Sequence, residues 1–276
     1  MKLTPRMICV LAVAALAAAA VPLDAQAAVA PSTVGQTPAE ILAQSDARRT
    51  IDDLSFLVRL TSYDGSQVTD TKTLWGSLKR GDDHDRVLMY FAEPASDRGR
   101  KLLVDGDAVY LLFVRTTNPI RLSPLEVLTG QASDGDVIRT FSRDYDVQSM
   151  TGETRNSTGS GGENAGASVD TWHFSLSARP SAANARYARV ELWVEKSTLR
   201  LLNADFYAAS GALLKKASYR DYRTAAGKDF PFTVEILAGD DASKRTILTF
   251  DKVGIRAVPR SEFQRSYLST WVPREP

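Results

Sequence analysis

The chain has few of the side chains that do most chemistry. Its 276 residues include one cysteine and two histidines. That leaves almost nothing for a His/Cys metal cluster and excludes most designs in which histidine activates a nucleophile. Net charge is scarce as well. The 34 Lys+Arg stand against 33 Asp+Glu, which excludes a polybasic nucleic-acid binder. There is no Gly-x-Ser-x-Gly elbow. Gly159 to Gly162 lies among polar residues, not between a strand and a helix as a phosphate loop must. Asp134-Gly135-Asp136 lacks the further ligands of a calcium loop and reads as turns and caps. What is plentiful is apolar: 43% hydrophobic with 24% charged is the composition of a folded protein, not a disordered one.

There is one long apolar run. Lys2 and Arg6 precede fifteen apolar residues from Met7 to Val21, Pro22 ends the run, and Ala25-Gln26-Ala27 supplies small residues for cleavage. This predicts a secretory signal peptide over residues 1–27. A bilayer span needs about 20 apolar residues. Cys9 lies inside the run, after Pro5-Arg6-Met7-Ile8, which is not a lipoprotein cleavage site, so no lipid anchor is expected. Cleavage after Ala27 leaves 249 residues with no cysteine and 32 charges of each sign. Without disulfides, such a chain depends on its core, and at this size it buries roughly 70–75% of its unfolded surface. The alanine-rich leader points to a Gram-negative periplasm as the compartment.

Residues 28–36 are small and polar and are expected to be disordered. Thr37-Pro38-Ala39-Glu40 then makes a capping box with proline at the first helical position, so a helix is predicted from Thr37 to about Arg49. From there the apolar period changes from 3.6 to 2. Leu54, Phe56, Val58 and Leu60 alternate with other residues up to a turn at Asp64-Gly65. Strands follow at Val68–Lys79, Val87–Phe91, Lys101–Val104 and Ala108–Val114. The middle of the chain differs. Ser123 with Pro124 and Glu126 caps a short helix, and Val137–Phe141 reads as another helical turn. Strands resume at Tyr145–Met150. Glu153 to Ser168, rich in Gly, Ser and Asn, reads as a loop. Further strands fall at Val169–Ser177, Tyr187–Glu195, Leu201–Tyr207, Leu213–Asp221, Phe230–Leu237 and Thr246–Val253, and Ser261 caps a last turn. Eleven or twelve strands joined by short turns must pair antiparallel, and a meander that long must curl or close. The class is α+β, mostly β, with residues 37–276 forming a single domain.

One segment is more specific. Residues 101–146 read KLLVDGDAVYLLFVRTTNPIRLSPLEVLTGQASDGDVIRTFSRDYD, preceded by Phe91-x-Glu93-Pro94 and followed by Tyr187–Val194 and Ala204–Gly211. This pattern resembles the bacterial outer membrane lipoprotein-sorting protein family, which has the LolA-like fold. The likeness spans Thr37 to Leu268. It implies a single curved antiparallel half-barrel of about 11 strands whose helices cover the concave face over an apolar cavity. It further implies a non-enzymatic carrier without cofactors or metal. The cargo would be a lipid, lipoprotein acyl chains or a similar apolar molecule. The implied partners are an inner-membrane transporter of the resistance-nodulation-division type and an outer-membrane acceptor. The competing implication is an adaptor of such an exporter or envelope complex with no cargo of its own.

A container is physically sensible, because a 14-carbon chain left in water costs on the order of 10 kcal/mol. Val190, Leu192 and Val194 alternate with polar or half-polar neighbours, as do Leu202, Ala204 and Phe206, and Phe232, Val234 and Ile236. These sets predict one apolar wall, either a ligand surface or ordinary core beneath the helices. Tyr90, Tyr110 and Leu112 lie on strands apolar on both sides and are counted among the cavity residues, with one face expected to meet the lid helices and the other either a partner patch or buried. Ile120, Leu125 and Leu128 are the lid candidates, and a plug that never moves is the plainer alternative. His84, among aspartates in a turn, is expected to be solvated. His173, between Trp172 and Phe174, is expected to be structural.

Overall fold

The computed structural model describes residues 33, 35–82, 84–106, 108–122, 130–132, 140–156, 168–182 and 187–274. Helix α1, Pro38–Arg49, begins as its sequence dictates. The Thr37 hydroxyl accepts from the Glu40 amide at 3.3 Å, while the Glu40 carboxylate accepts from the Thr37 amide at 2.7 Å. Ile41, Leu42, Ser45, Asp46 and Arg49 form its buried stripe at helical spacing.

Thirteen strands follow: β1 (Asp53–Asp64), β2 (Gln67–Lys79), β3 (Arg86–Glu93), β4 (Lys101–Asp105), β5 (Ala108–Leu112), β6 (Ile120–Leu122), β7 (Tyr145–Asn156), β8 (Ser168–Ala178), β9 (Arg189–Glu195), β10 (Leu201–Tyr207), β11 (Leu213–Ala225), β12 (Lys228–Ala238) and β13 (Lys244–Ile255). A four-residue helix α2, Phe141–Asp144, precedes β7, and two 3-10 turns, Arg260–Glu262 and Arg265–Tyr267, follow β13. Helices and strands belong to one compact unit, Pro31–Pro276.

All thirteen strands join one antiparallel sheet in the order β6-β5-β4-β3-β2-β1-β13-β12-β11-β10-β9-β8-β7. Consecutive strands pair throughout, except that β1 pairs with β13 and β6 and β7 are left as the two edges. The sheet is open, as the expected half-barrel requires, and has more strands than the eleven or twelve expected. The added strand is β6, a three-residue edge segment too short to show a period.

The sheet curls strongly. Asp85 directly precedes β3 and Arg143 lies two residues before β7, yet their side chains meet at 2.7 Å. Those strands are nine places apart in the sheet, about 43 Å if it were flat at roughly 4.8 Å per strand. Only a curled sheet brings them together.

Two local readings are corrected. Glu153 to Asn156 is not loop: it continues β7, paired with Ser168 to Thr171. Polar side chains at the end of a hairpin hide the strand because one face is solvated. In β10 a bulge between Leu201 and Asn203 resets the alternation. Leu201 is therefore buried and Leu202 only half-buried.

Candidate functional site

The sheet has an inner face, which carries α1, and an outer face. Strand alternation assigns the residues. The inner face takes Leu54, Phe56, Val58 and Leu60 from β1, Met89 and Phe91 from β3, Leu102 and Val104 from β4, and Val109 from β5. From the other half come Phe174, Leu176, Val190, Leu192, Val194, Ala204, Phe206, Val234, Ile236, Leu248 and Phe250. All are buried in one contiguous cluster. Packing is shaped around the rings. Gly76 faces Phe56, and a Cβ there would lie 2.1 Å from the ring. Phe206 stacks between Tyr187 at 4.6 Å and Phe141 at 6.4 Å.

Residues 130–132, between β6 and α2 in the chain, also lie on this face. Gly130 sits over the hydrogen-bonded pair Ser62–Thr246, whose hydroxyls are 3.1 Å apart. The Gln131 amide donates to the Thr246 hydroxyl at 2.8 Å, and Ala132 is fully buried. Gly130 has φ +51°, and a Cβ would fall 2.2–2.3 Å from the Ser62 and Thr246 oxygens. Only glycine fits this position.

Helix α2 is held by charge. The Arg143 guanidinium donates to both Asp85 oxygens at 2.7 and 3.2 Å and to Asp144 at 2.9 Å. Arg80 also pairs with Asp85. On α1, Asp46 accepts from the Ser142 amide at 2.7 Å and from Arg49 at 2.5 Å. Arg49 in turn lies 5.4 Å from the Phe141 ring centroid. Burial pushes the Asp85 carboxyl up, but the hydrogen bonds and charges of Arg143 and Arg80 outweigh it and hold it below the usual range. Burial, reinforced by the nearby Arg49 and Arg143, lowers Arg80 against the pull of Asp85. Burial also opposes the charge on Arg143, but Asp85 and Asp144 raise it. These groups form an ionic clasp that joins α1, α2 and the β2–β3 turn. The sequence reading missed the clasp. Arg80, Asp85 and Arg143 lie among turn residues, and nothing local pairs groups 58 positions apart.

The structure divides the sequence-predicted residues between the two faces. Val190, Leu192, Val194, Phe206, Phe232 and Val234 lie together in the inner cluster. Ile120 is on β6 at the inner side of the edge, opposite Leu111, and is 48% exposed. Leu125 and Leu128, with the rest of the expected helix at Ser123, lie outside the described residues, as do Asp134 and Asp136. Tyr90, Tyr110 and Leu112 are on the outer face. There the C-terminal segment covers them: Val258, Phe263, Leu268 and Trp271 pack with Leu88, Leu103 and Leu112 into a second buried cluster. A recess of about 40 Å³ beside this strap, lined by Ser77, Val258 and Trp271 among others, has room for a few waters.

Elsewhere the outer face is polar. His173 stacks on Trp193 at 4.7 Å and bonds Glu191 at 2.9 Å. His84 is not free in its turn but bonds Asp105 at 2.7 Å. No group of three or more His, Cys, Asp or Glu among the described residues is placed to hold a metal ion. Among them, too, no helix is long and apolar enough to cross a membrane.

Comparison with known proteins agrees with this architecture. A family model described as an uncharacterized protein matches residues 83–270. None of the curated proteins matches the sequence. Among solved structures, a LolA superfamily protein from Nitrosomonas europaea is 26% identical, covering 83% of this chain and 98% of that one with a TM-score of 0.68. A DUF1329 family protein from Desulfovibrio piger (18% identity, 83% and 97% covered, TM-score 0.66) shares the fold. So does an outer membrane lipoprotein-sorting protein domain from Vibrio parahaemolyticus (16% identity, 84% and 97% covered, TM-score 0.66). The chain belongs to the family whose model matches residues 83–270, and its open curled sheet is the LolA-like fold.

Proposed function

We propose that the protein is a periplasmic, non-enzymatic carrier that holds lipid, lipoprotein acyl chains or a similar apolar cargo against its inner face. The fold is that of lipid- and lipoprotein-binding carriers, and a relative of this fold is described as sorting outer membrane lipoproteins. The observation that carries the reading is the inner face itself. It gathers apolar side chains from strands along the whole sheet into one cluster, and residues 130–131 and α2, which lie against it, are anchored by hydroxyls, a glycine and an ionic clasp. A cover anchored by polar groups can exchange its hydrogen bonds for water when it lifts. The apolar wall it uncovers would then be open to a chain whose burial returns about 0.8 kcal/mol per CH2.

Val190, Leu192, Val194, Phe206, Phe232 and Val234 would form the wall, with Ile120 at the edge of β6, Leu125 and Leu128 as lid candidates outside the described residues, and Tyr90, Tyr110 and Leu112 supporting the sheet from behind. Release would require that a partner, such as an exporter of the resistance-nodulation-division type or an outer-membrane acceptor, favour the lifted state over the closed one.

The test is mass spectrometry of organic extracts from protein purified out of its native periplasm. An acyl species should be recovered from the wild type and reduced when the wall is filled by Leu192→Trp. Repeated absence of any acyl species, with a melting temperature that added lipid does not raise, would overturn the reading.

A further inference from the structure

Three of the exposed large apolar side chains gather at one corner of the sheet. Phe113 (38% exposed) and Val114 (46%) leave the end of β5, and Ile120 (48%) opens β6 across the same hairpin. Val114 lies over the β3–β4 turn, where it is the nearest neighbour a Cβ on Gly99 would meet. Around this tip stand Arg98, Arg115 and Arg121, all exposed. Arg98 donates to the Ala92 carbonyl, and none of the three forms an ion pair within the described residues. This is unusual for the protein, since most of the arginines on its polar outer face are paired. The two carboxylates near the corner are engaged. Asp97 is buried between Lys72 at 2.7 Å and Arg100 at 2.8 Å, and Glu93 accepts from the Thr73 hydroxyl at 2.9 Å. The hairpin from Phe113 to Leu122 contains no acidic residue.

We infer that this hairpin tip docks the protein on an anionic phospholipid surface. Phe113, Val114 and Ile120 would enter the headgroup–acyl boundary while Arg98, Arg115 and Arg121 meet lipid phosphates. Apolar side chains ringed by cations that form no ion pair among the described residues fit such a surface in both respects. The boundary takes up apolar area without demanding a shaped pocket, and the negative surface potential attracts such cations. Isolated apolar residues such as Val68 and Ile255, 51% and 64% exposed, are ordinary surface. The cationic ring sets the tip apart. The inference does not depend on whether the inner face carries cargo.

The experiment is flotation of the full chain with vesicles of phosphatidylethanolamine and phosphatidylglycerol, against vesicles of phosphatidylcholine alone. Co-flotation with the anionic vesicles is expected, and it should fall about tenfold at high salt. Arg98→Glu/Arg115→Glu/Arg121→Glu should abolish it. Phe113→Ser/Val114→Ser should weaken it at unchanged melting temperature, while Val68→Ser should leave it alone. No flotation with anionic vesicles, or flotation that persists in both tip variants, would overturn the proposal. So would self-association of the wild type that Phe113→Ser/Val114→Ser removes with no vesicle binding in either protein, since the tip would then cover a second copy. Acyl species in the extract bear on the carrier reading alone, so the two proposals fail separately.

Discussion

The sheet carries an apolar surface on its inner face and a smaller one on the outer side of β3–β5, and the two are covered in different ways. On the outer side of β3–β5, the cover is the C-terminal strap, which sinks Val258, Phe263, Leu268 and Trp271 among Leu88, Leu103 and Leu112. Removing it would expose large side chains on both partners. On the inner side, Gly130 and Gln131 rest on the Ser62–Thr246 pair and α2 is held by the Arg143–Asp85 clasp. These contacts are mostly polar. The free energy of lifting an apolar cover grows with the area re-exposed, whereas lifted polar groups regain water. The strap is therefore held as core is held, and the inner contacts at Gly130, Gln131 and Arg143 are of the kind that water can replace.

Four substitutions would break or sharpen this contrast, given from the largest expected effect down. Trp271→Ala removes the strap's largest side chain from a site 4% exposed and should cost about 4 kcal/mol in urea-induced unfolding. A loss below about 1 kcal/mol would mean the strap is not core.

Asp85→Asn leaves Arg80 and Arg143 without their shared carboxylate and should cost about 3 kcal/mol at neutral pH. The sign of its pH dependence follows from the lowered folded value of Asp85. The unfolded chain takes up the proton first, so the contribution is complete above an ordinary carboxylate pKa of about 4. It disappears as pH falls through the folded value. Stability curves of wild type and variant should therefore converge in acid. Parallel curves down to the lowest pH would show that Asp85 is not the group that titrates.

Gly130→Ala puts a Cβ against the Ser62 and Thr246 oxygens at a positive φ and should cost about 2 kcal/mol. Hydrogen exchange should speed up at Gln131 but not at Phe263 or Leu268. Equal acceleration at both would erase the distinction between the contacts at Gly130–Gln131 and the strap. Arg59→Ala breaks the ion pair with Asp251, in which the side chains are 52% and 32% exposed. It should change stability by only about 0.5 kcal/mol, which sets the baseline for polar contacts on the open part of the outer face.

Local chemistry was legible wherever the determining residues are neighbours. The capping box at Thr37 and Glu40, the turn at Asp64-Gly65 and the period-2 runs of β1, β9 and β12 need no knowledge of the rest of the chain. The inner wall could be read from alternation, because Val190, Leu192 and Val194 point one way whatever they meet. What they meet could not be read. Tyr90, Tyr110 and Leu112 carry the same apolar signal as the wall. They lie on the opposite face because antiparallel register sets Tyr90 beside Lys101 and Tyr110 beside Arg121, and because residues some 150 positions later fold over them. The bulge that exchanges Leu201 for Leu202 escapes a strict alternation for the same reason, since a bulge is a property of the pair.

The sequence by itself determined an α+β chain, mostly β, of antiparallel strands built around dispersed apolar faces and poor in catalytic side chains. Composition and short-range periodicity depend only on residues near one another in the chain. Tertiary structure alone decided which apolar face is covered by the terminus and which lies under α1 and residues 130–132. It decided that Gly130 must be glycine and that Arg80, Asp85 and Arg143 form one clasp. Those outcomes depend on the curl of a thirteen-stranded sheet, which brings together groups that neither sequence distance nor strand order places side by side.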